Sequence, residues 1–325
     1  MMAKMTALVT GGLGFIAATL IRRLVEAGQP VLAVDNFSRG NKANLGQLVV
    51  DPLVRIVKVD AADIVALRNA VAAEEDIGPI TDVWHLAANS DIPAGIADPQ
   101  VDLKDTFMTT FNVLKLMAEI GAKRMFFASS SAIYGDLGAT ILREDVGPLF
   151  PISNYGAMKL ASEALITAAA ETFLDRALLF RFPNVVGVPA THGVLLDFIR
   201  RLKADPKRLQ VLGDGTQRKS YLHVSDLVNA MLFIEKGFAA KVGAVNIGPA
   251  DDGVTVATIA EETIAHVAPG AILEYGNGNK GWVGDVPRFT YSTVKLHDLG
   301  WTPSMDSLAA VRLAIREIAS QESSV

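Results

Sequence analysis

Thr10-Gly11-Gly12-Leu13-Gly14-Phe15-Ile16-Ala17 joins an apolar run at residues 6–10 to a stretch of helical spacing at residues 15–27. Its glycines satisfy G-x-G-x-x-A through Gly12, Gly14 and Ala17, and G-x-x-G-x-x-A through Gly11, Gly14 and Ala17. Glycine permits a tight turn and lets backbone N–H groups approach an anion. The helix N-terminus that follows adds partial positive charge, and a small Ala17 lets helix pack closely on strand. Strand, glycine turn and helix in this order open a doubly wound α/β sheet, with the pyrophosphate of a dinucleotide as the ligand such a turn holds. A plain strand–helix turn would carry the same glycines, so the remainder of the chain decides.

That remainder alternates. Residues 31–34, 55–59, 83–86, 125–128 and 178–182 are short, nearly continuous apolar runs, as parallel strands covered on both faces should be. Helical stretches at residues 63–75, 101–120 and 155–173 separate them. The pattern predicts a Rossmann-type parallel sheet. Pro183, Gly187, Pro189 and Gly193 then mark a crossover. A helix at 195–203, a strand at 209–212, a return to the main sheet over 226–235 and 245–247, and a last helix at 306–319 follow. The expected division is a cofactor domain, residues 1–183 and 220–250, and a smaller discontinuous α/β substrate domain, residues 184–219 and 251–325.

Half of the 325 residues are apolar, enough for a large core, and the net charge is −5. No basic run with interleaved aromatics occurs, which leaves nucleic acid without a footprint. The chain has no cysteine, so disulfides and thiolate metal sites are excluded, and the five histidines lack metal-ligand spacing. The apolar stretch 7–24 is interrupted by glycines and by Arg22-Arg23, a poor membrane span. Met-Met-Ala-Lys leads straight into a strand rather than a cleavable signal. A cytoplasmic protein using neither metal nor membrane is expected.

Asp35 ends the second strand about 20 residues beyond the glycines, where a carboxylate accepts bonds from the adenosine ribose. A carboxylate there repels a 2′-phosphate and favours NAD, while Arg39 keeps NADP open. Asp60, after the third strand, either receives the adenine amino group or is a solvated strand-end acid. Leu86-Ala87-Ala88, after the fourth, is small enough to admit ribose and phosphates. Tyr155 and Lys159 share one helical face at i and i+4. An ammonium beside a phenol favours the phenolate and lowers its pKa toward neutrality. Such a Tyr takes a proton from a hydroxyl as hydride leaves the same carbon. With Ser129-Ser130-Ser131-Ala132-Ile133-Tyr134-Gly135 upstream, these features specify redox chemistry on a hydroxyl with a nicotinamide cofactor.

The chain resembles extended short-chain dehydrogenase/reductases, and within them the UDP-galactose (UDP-glucose) 4-epimerase group of archaeal type. The motifs above carry the resemblance, with Asn184-Val185-Val186-Gly187, residues 213–221 (GDGTQRKSY) and residues 281–286 (GWVGDV) in the second half. It implies NAD contacts from Gly11, Gly14, Phe15 and Ile16, then from Asp35, Asn36, Phe37, Ser38, Arg39 and Gly40. Asp60, Ala61, Leu86, Ala87, Ala88, Tyr155, Lys159 and Pro183 complete that set. It implies catalysis by Ser130, Tyr155 and Lys159, with Ser131 as a neighbour able to share the serine's task. Tyr155 would take the 4-hydroxyl proton while hydride leaves C4. The 4-keto sugar would turn, and hydride would return to its other face. Ser131, Asn184, Arg218, Lys219, Trp282 and Asp285 are the implied substrate contacts, and a homodimer the implied assembly.

Related 4,6-dehydratases and decarboxylases carry carboxylates at the positions of Ser131 and Ala132, so elimination lacks its acid and base here unless another loop supplies the acid. Three further departures stand out. Thr106 replaces an Asn that orients the cofactor loop, its hydroxyl either sharing that work or serving structure alone. Lys219 replaces a diphosphate-binding Arg, with Arg218 beside it. Trp282 replaces a second Arg and either stacks on a ribose or base or caps the small domain. His85, His266 and His297 read as structural and His223 as a strand-end packing residue, while His192 lies in the crossover within range of a substrate. Two competing readings remain: a net dehydrogenase or reductase of the same fold, and a dinucleotide sensor without catalysis.

Overall fold

A computed structural model describes residues 5–138, 140–278 and 290–323. β1 (Thr6–Thr10) runs through the glycine turn into α1 (Phe15–Glu26), and β2 (Val31–Asp35) and β3 (Val54–Lys58) follow. After α2 (Ile64–Ala72) come β4 (Ile80–His85), α3 (Ile92–Ala97) and α4 (Pro99–Asp102). A wide π-helical turn, Leu103–Met108, leads into α5 (Thr109–Ile120), then β5 (Arg124–Ala128), β6 (Ile141–Leu142), α6 (Asn154–Thr172) and β7 (Arg176–Arg181). The single helix expected over residues 101–120 is therefore one run of helical chain in three segments, a π-helical turn between two α-helices.

The chain divides into two compact units. The first comprises Met1–Ile133, Leu149–Arg181 and Glu235–Val245. The second comprises Tyr134–Pro148, Phe182–Ile234 and Asn246–Val325. The expected boundaries differ from this division chiefly at residues 134–148 and 220–234, which were assigned to the cofactor domain and fall in the second unit.

In the first unit, β1 to β5 and β7 form a parallel sheet that β12 (Val242–Asn246) joins at one edge, in the order β12-β7-β5-β4-β1-β2-β3. β1 and β2 are buried along their whole length because helices cover both faces. Leu8, Leu32, Val83, Met125 and Phe127 from the strands meet Leu67, Val113, Met117 and Ile166 from the helices in one core. The chain moves outward from β1 to β2 and β3, then returns to place β4 on the other side of β1. The order reverses between β1 and β4, and a crevice opens at such a switch point beyond the carboxyl ends of the strands.

The second unit holds β8 (Asn184–Val186), α7 (Val194–Ala204), β9 (Arg208–Val211), β10 (Arg218–Lys219), β11 (Tyr221–His223) and most of α8 (Val224–Gly237). β13 (Val254–Thr255), α9 (Val256–Val267), β14 (Ile272–Tyr275), β15 (Thr290–Tyr291), α10 (Val294–Asp298) and α11 (Ser307–Gln321) complete it. Its strands pair two by two: β8 with β11, β9 with β14, β10 with β13, and β6 with β15. Leu196, Ile199, Leu209, Ile259, Val311 and Ile315 form its separate core. No helix among the described residues is long and apolar enough to cross a membrane.

Candidate active site

The crevice at the switch point is built from glycines and one carboxylate. Gly11 has φ +63°, and a Cβ on it would stand 3.0 Å from the Ala87 backbone, so the β1 turn lies directly against the β4 loop. A Cβ on Gly12 would reach 2.7 Å from that of Ala33, which explains the second glycine as packing against β2. Gly14 is the N-cap of α1 and supplies no side-chain acceptor, so nothing at the cap competes for the N–H groups of the first turn, including Phe15 and Ile16. Asp35 is 8% exposed and accepts from Leu13 N–H (3.0 Å) and Phe37 N–H (2.7 Å). A Cβ on Gly40 would lie 2.7 Å from its carboxylate oxygens. Phe37 takes φ +63°, a strained value for a bulky residue, held by that bond to Asp35. Asn36 turns its Oδ1 to the Ser38 N–H (3.0 Å). Asp60 accepts from Ala62 N–H and pairs with Lys104 at 2.9 Å, and Asn112 pins the Ala61 carbonyl at 3.0 Å. The Leu86 and Ala87 N–H groups are tied to Thr10 (3.3 and 3.2 Å), leaving small Ala87 and Ala88 beside the turn. Glycines with no room for a side chain, an uncapped helix N-terminus and a fixed ribose-height carboxylate fit NAD.

Next along the sheet, β5 ends in Ser129-Ser130-Ser131 and faces the start of α6. Ser153 caps α6 by accepting from Gly156 N–H at 3.1 Å, which puts Tyr155 in the first turn, where the helix dipole favours an anion. Gly156 is required: a Cβ there would meet the Ala132 carbonyl oxygen at 2.4 Å. That tight approach delivers Tyr155 to Ser130, whose hydroxyl bonds to it. Ser130 is thus a serine that acts on the tyrosine. Lys159, 2% exposed, donates to the Ala128 carbonyl at 2.6 Å and stands 5.8 Å from the centre of the Tyr155 ring.

Electrostatics here depart from the sequence expectation. Burial pushes the Tyr155 phenol up to about 12, the Ser130 bond opposing this and the charge of Asp102 adding to it. Burial also brings Lys159 down to about 7, against the pull of Glu163 and Asp102. The expected lowering of the tyrosine by its lysine is therefore outweighed in the protein alone, because desolvation penalises both charged forms and weakens the cation that was to do the work.

Two buried networks support this centre, the first not anticipated and the second anticipated only at Thr106. Glu163, one turn beyond Lys159, accepts both Arg181 Nε (3.0 Å) and Nη2 (2.7 Å), with side-chain exposures of 5% and 8%, and also the Ser129 hydroxyl. Their only sequence signal is that Tyr155, Lys159 and Glu163 repeat every four residues. In the second network, Asn89 Nδ2 donates to Asp102 Oδ1 (2.9 Å), while Thr106 Oγ1 accepts the Asn89 N–H (3.1 Å). Burial raises the pKa of Asp102, against the effect of Asn89 and Thr106 beside it. The Thr106 hydroxyl thus braces the β4 loop.

In the second unit, Asn184 begins β8, directly after Pro183, and pairs in register with Tyr221. Arg218 and Lys219 form β10, and Arg218 Nη1 donates to the Gly253 carbonyl at 2.9 Å. Neighbours on a strand point to opposite faces, which sets the two cations on different sides of β10. Trp282 and Asp285 lie outside the described residues. His85 bridges Thr10 (2.7 Å) and Thr110 (3.0 Å), and burial lowers it to about 3, which keeps it neutral and structural. His223 packs at 5% exposure between Ser225 and Glu317, whereas His192 is exposed. Among the described residues no cluster of His, Asp and Glu suits a metal.

Comparison with known proteins agrees with this geometry. The family model described as NAD dependent epimerase/dehydratase family matches residues 7–248. UDP-glucose 4-epimerase of Corynebacterium glutamicum is 28% identical, the match covering 94% of this chain and 93% of that one. A crystal structure of a UDP-galactose 4-epimerase superposes with TM-score 0.84 at 35% identity, over 98% of this chain and 99% of that chain. The Thermus thermophilus UDP-glucose 4-epimerase, solved as a complex with NAD, gives TM-score 0.83 at 26% identity over 97% and 99%. The protein is an NAD-dependent enzyme of the epimerase type. By its sequence and by its fold, the chain belongs to the NAD-dependent epimerase/dehydratase family.

Proposed function

We propose that the protein epimerises a nucleotide sugar at C4, with UDP-glucose and UDP-galactose or a closely related UDP-sugar as the pair interconverted. The observation that carries this reading is the Ser130–Tyr155 contact above a buried Lys159, without a carboxylate at Ser131 or Ala132. Bound NAD, held by the glycine turn and Asp35, would supply the hydride acceptor and donor for the sugar carbon. Tyr155 accepts the hydroxyl proton as that carbon is oxidised and gives it back when the 4-keto sugar is reduced on its other face. Ser130 donates to the same oxygen, and Lys159 anchors the nicotinamide ribose. The test is conversion, without added cofactor, of UDP-glucose, UDP-galactose, their N-acetyl forms and UDP-glucuronate. No conversion of any would overturn the reading. Stoichiometric consumption of added NAD(H) would favour a net dehydrogenase or reductase.

For the substrate's diphosphate we propose Lys219, with Asn184 assisting and Trp282 and Asp285 toward the nucleoside. Arg218 instead holds the Gly253 turn. Lys219→Ala is expected to raise KM several-fold with little change in kcat, because a phosphate contact binds ground state and transition state alike. An unchanged KM would place the diphosphate elsewhere.

Assembly as a cytoplasmic homodimer through α5 and α6 is part of the same proposal. Ala164 and Ala168 on α6 and Phe111 on α5, 43% exposed, leave an apolar surface on both helices. Leu114, also on α5, belongs to the sheet core rather than to this surface. Light scattering at micromolar protein should give twice the chain mass, and a monomer would refute this part.

A further inference from the structure

Arg39 leaves the loop after β2 and reaches the loop after β4. Its Nη2 pairs with Asp91 Oδ2 at 2.6 Å and its Nη1 donates to Ser90 Oγ at 3.1 Å. β2 and β4 are not neighbours, since β1 lies between them. At about 4.8 Å per strand the two loops rise from strands roughly 10 Å apart, and the glycine turn emerges in the gap. The arginine therefore spans the crevice from one wall to the other.

Both ends of the span are braced. On one side Asp35 holds the loop through the Phe37 N–H. On the other, Asp91 Oδ1 accepts from Ala94 N–H (3.0 Å), and Asn89 takes the Asp91 N–H and donates to its carbonyl (2.8 Å each). Asn89 is itself tied to the buried Asp102. An exposed ion pair between free side chains contributes little, but one joining two pre-set loops escapes most of the entropy cost. A guanidinium has five N–H donors, and these two bonds leave others for an anion beneath it.

We propose that Arg39, steered by Asp91 and Ser90, closes over the pyrophosphate of the bound dinucleotide and sets how slowly the cofactor leaves. An enzyme that must return hydride to the same sugar has to keep its reduced cofactor through the half-reaction, and this bridge does so at the crevice mouth. The inference rests on the assignment of the glycine turn and Asp35 to NAD.

The experiment preloads the full chain with NADH and follows loss of its bound fluorescence on chasing with excess NAD+. Arg39→Gln and Asp91→Asn, the latter keeping a capping side chain for α3, are each expected to speed release about three- to five-fold, the upper range for one exposed pair. The double variant should be no faster than Arg39→Gln, because the residues act as one unit. Salt should speed release from the wild type more than from the double variant. Wild-type rates in both single variants would overturn the proposal. So would slower release from Asp91→Asn, which would make Asp91 a competitor for Arg39, or single effects that multiply in the double. Asp35→Ala separates the two levels. If it weakens NADH binding while the bridge variants do nothing, only the bridge falls. If it too has no effect, the crevice assignment falls with it.

Discussion

Tyr155→Phe is expected to lower kcat by about 10²–10⁴-fold, the usual worth of a positioned acid–base group, while the fold and NAD content stay those of the wild type. The phenol ring packs in the first turn of α6, and phenylalanine preserves that ring, the Ser153 cap and the Gly156 contact with Ala132. What disappears is the hydroxyl that meets Ser130. Burial, with the Asp102 charge adding and the Ser130 bond opposing, puts this phenol at about 12, so the protein without cofactor holds it protonated at neutral pH. A cation must therefore gather beside it before it accepts a proton, and Lys159, brought to about 7, supplies only part of that charge. Activity should accordingly fall as pH drops and the phenolate is lost. Retention of more than half the wild-type rate by the phenylalanine variant would remove Tyr155 from the chemistry.

Glu163→Ala should cost about 3–5 kcal/mol of stability, read as a lower urea midpoint, because it leaves the Arg181 guanidinium buried without its carboxylate. Replacing both partners by apolar residues, Glu163→Leu with Arg181→Met, should recover most of the loss, since the penalty comes from the orphaned charge. The single variant also strips Ser129 of its acceptor and Lys159 of a stabilising anion. With Glu163 gone the Lys159 ammonium is lost at lower pH, so any surviving activity should decline earlier on the alkaline side. A loss below about 1 kcal/mol would show that solvent reaches this pair.

What the sequence makes legible is what it encodes locally. The glycine turn, Asp35 and the Tyr155–Lys159 spacing each lie within one strand, turn or helix, and the structure places β1 and the start of α1 where their patterns end. The Glu163–Arg181 pair was not legible, because its halves lie 18 residues apart on a helix and a strand, and helix acids are common. Helix α9 lies between residues 247 and 306, where the sequence pattern marked out no individual element. The tyrosine's pKa was misjudged because a sequence shows the neighbouring cation but not the depth at which both are buried.

The wide turn at Leu103–Met108 has a consequence for how this chain compares with its kin. Such a turn is an α-helix carrying one residue too many, and each residue turns a helix by about 100°. Removing a single residue there would restore regular winding, yet rotate everything upstream by that angle. Asp102 would swing out from under Asn89, and the β4 loop would lose its floor. A one-residue gap at this place is thus no silent indel: relatives lacking the extra residue must brace that loop by other means.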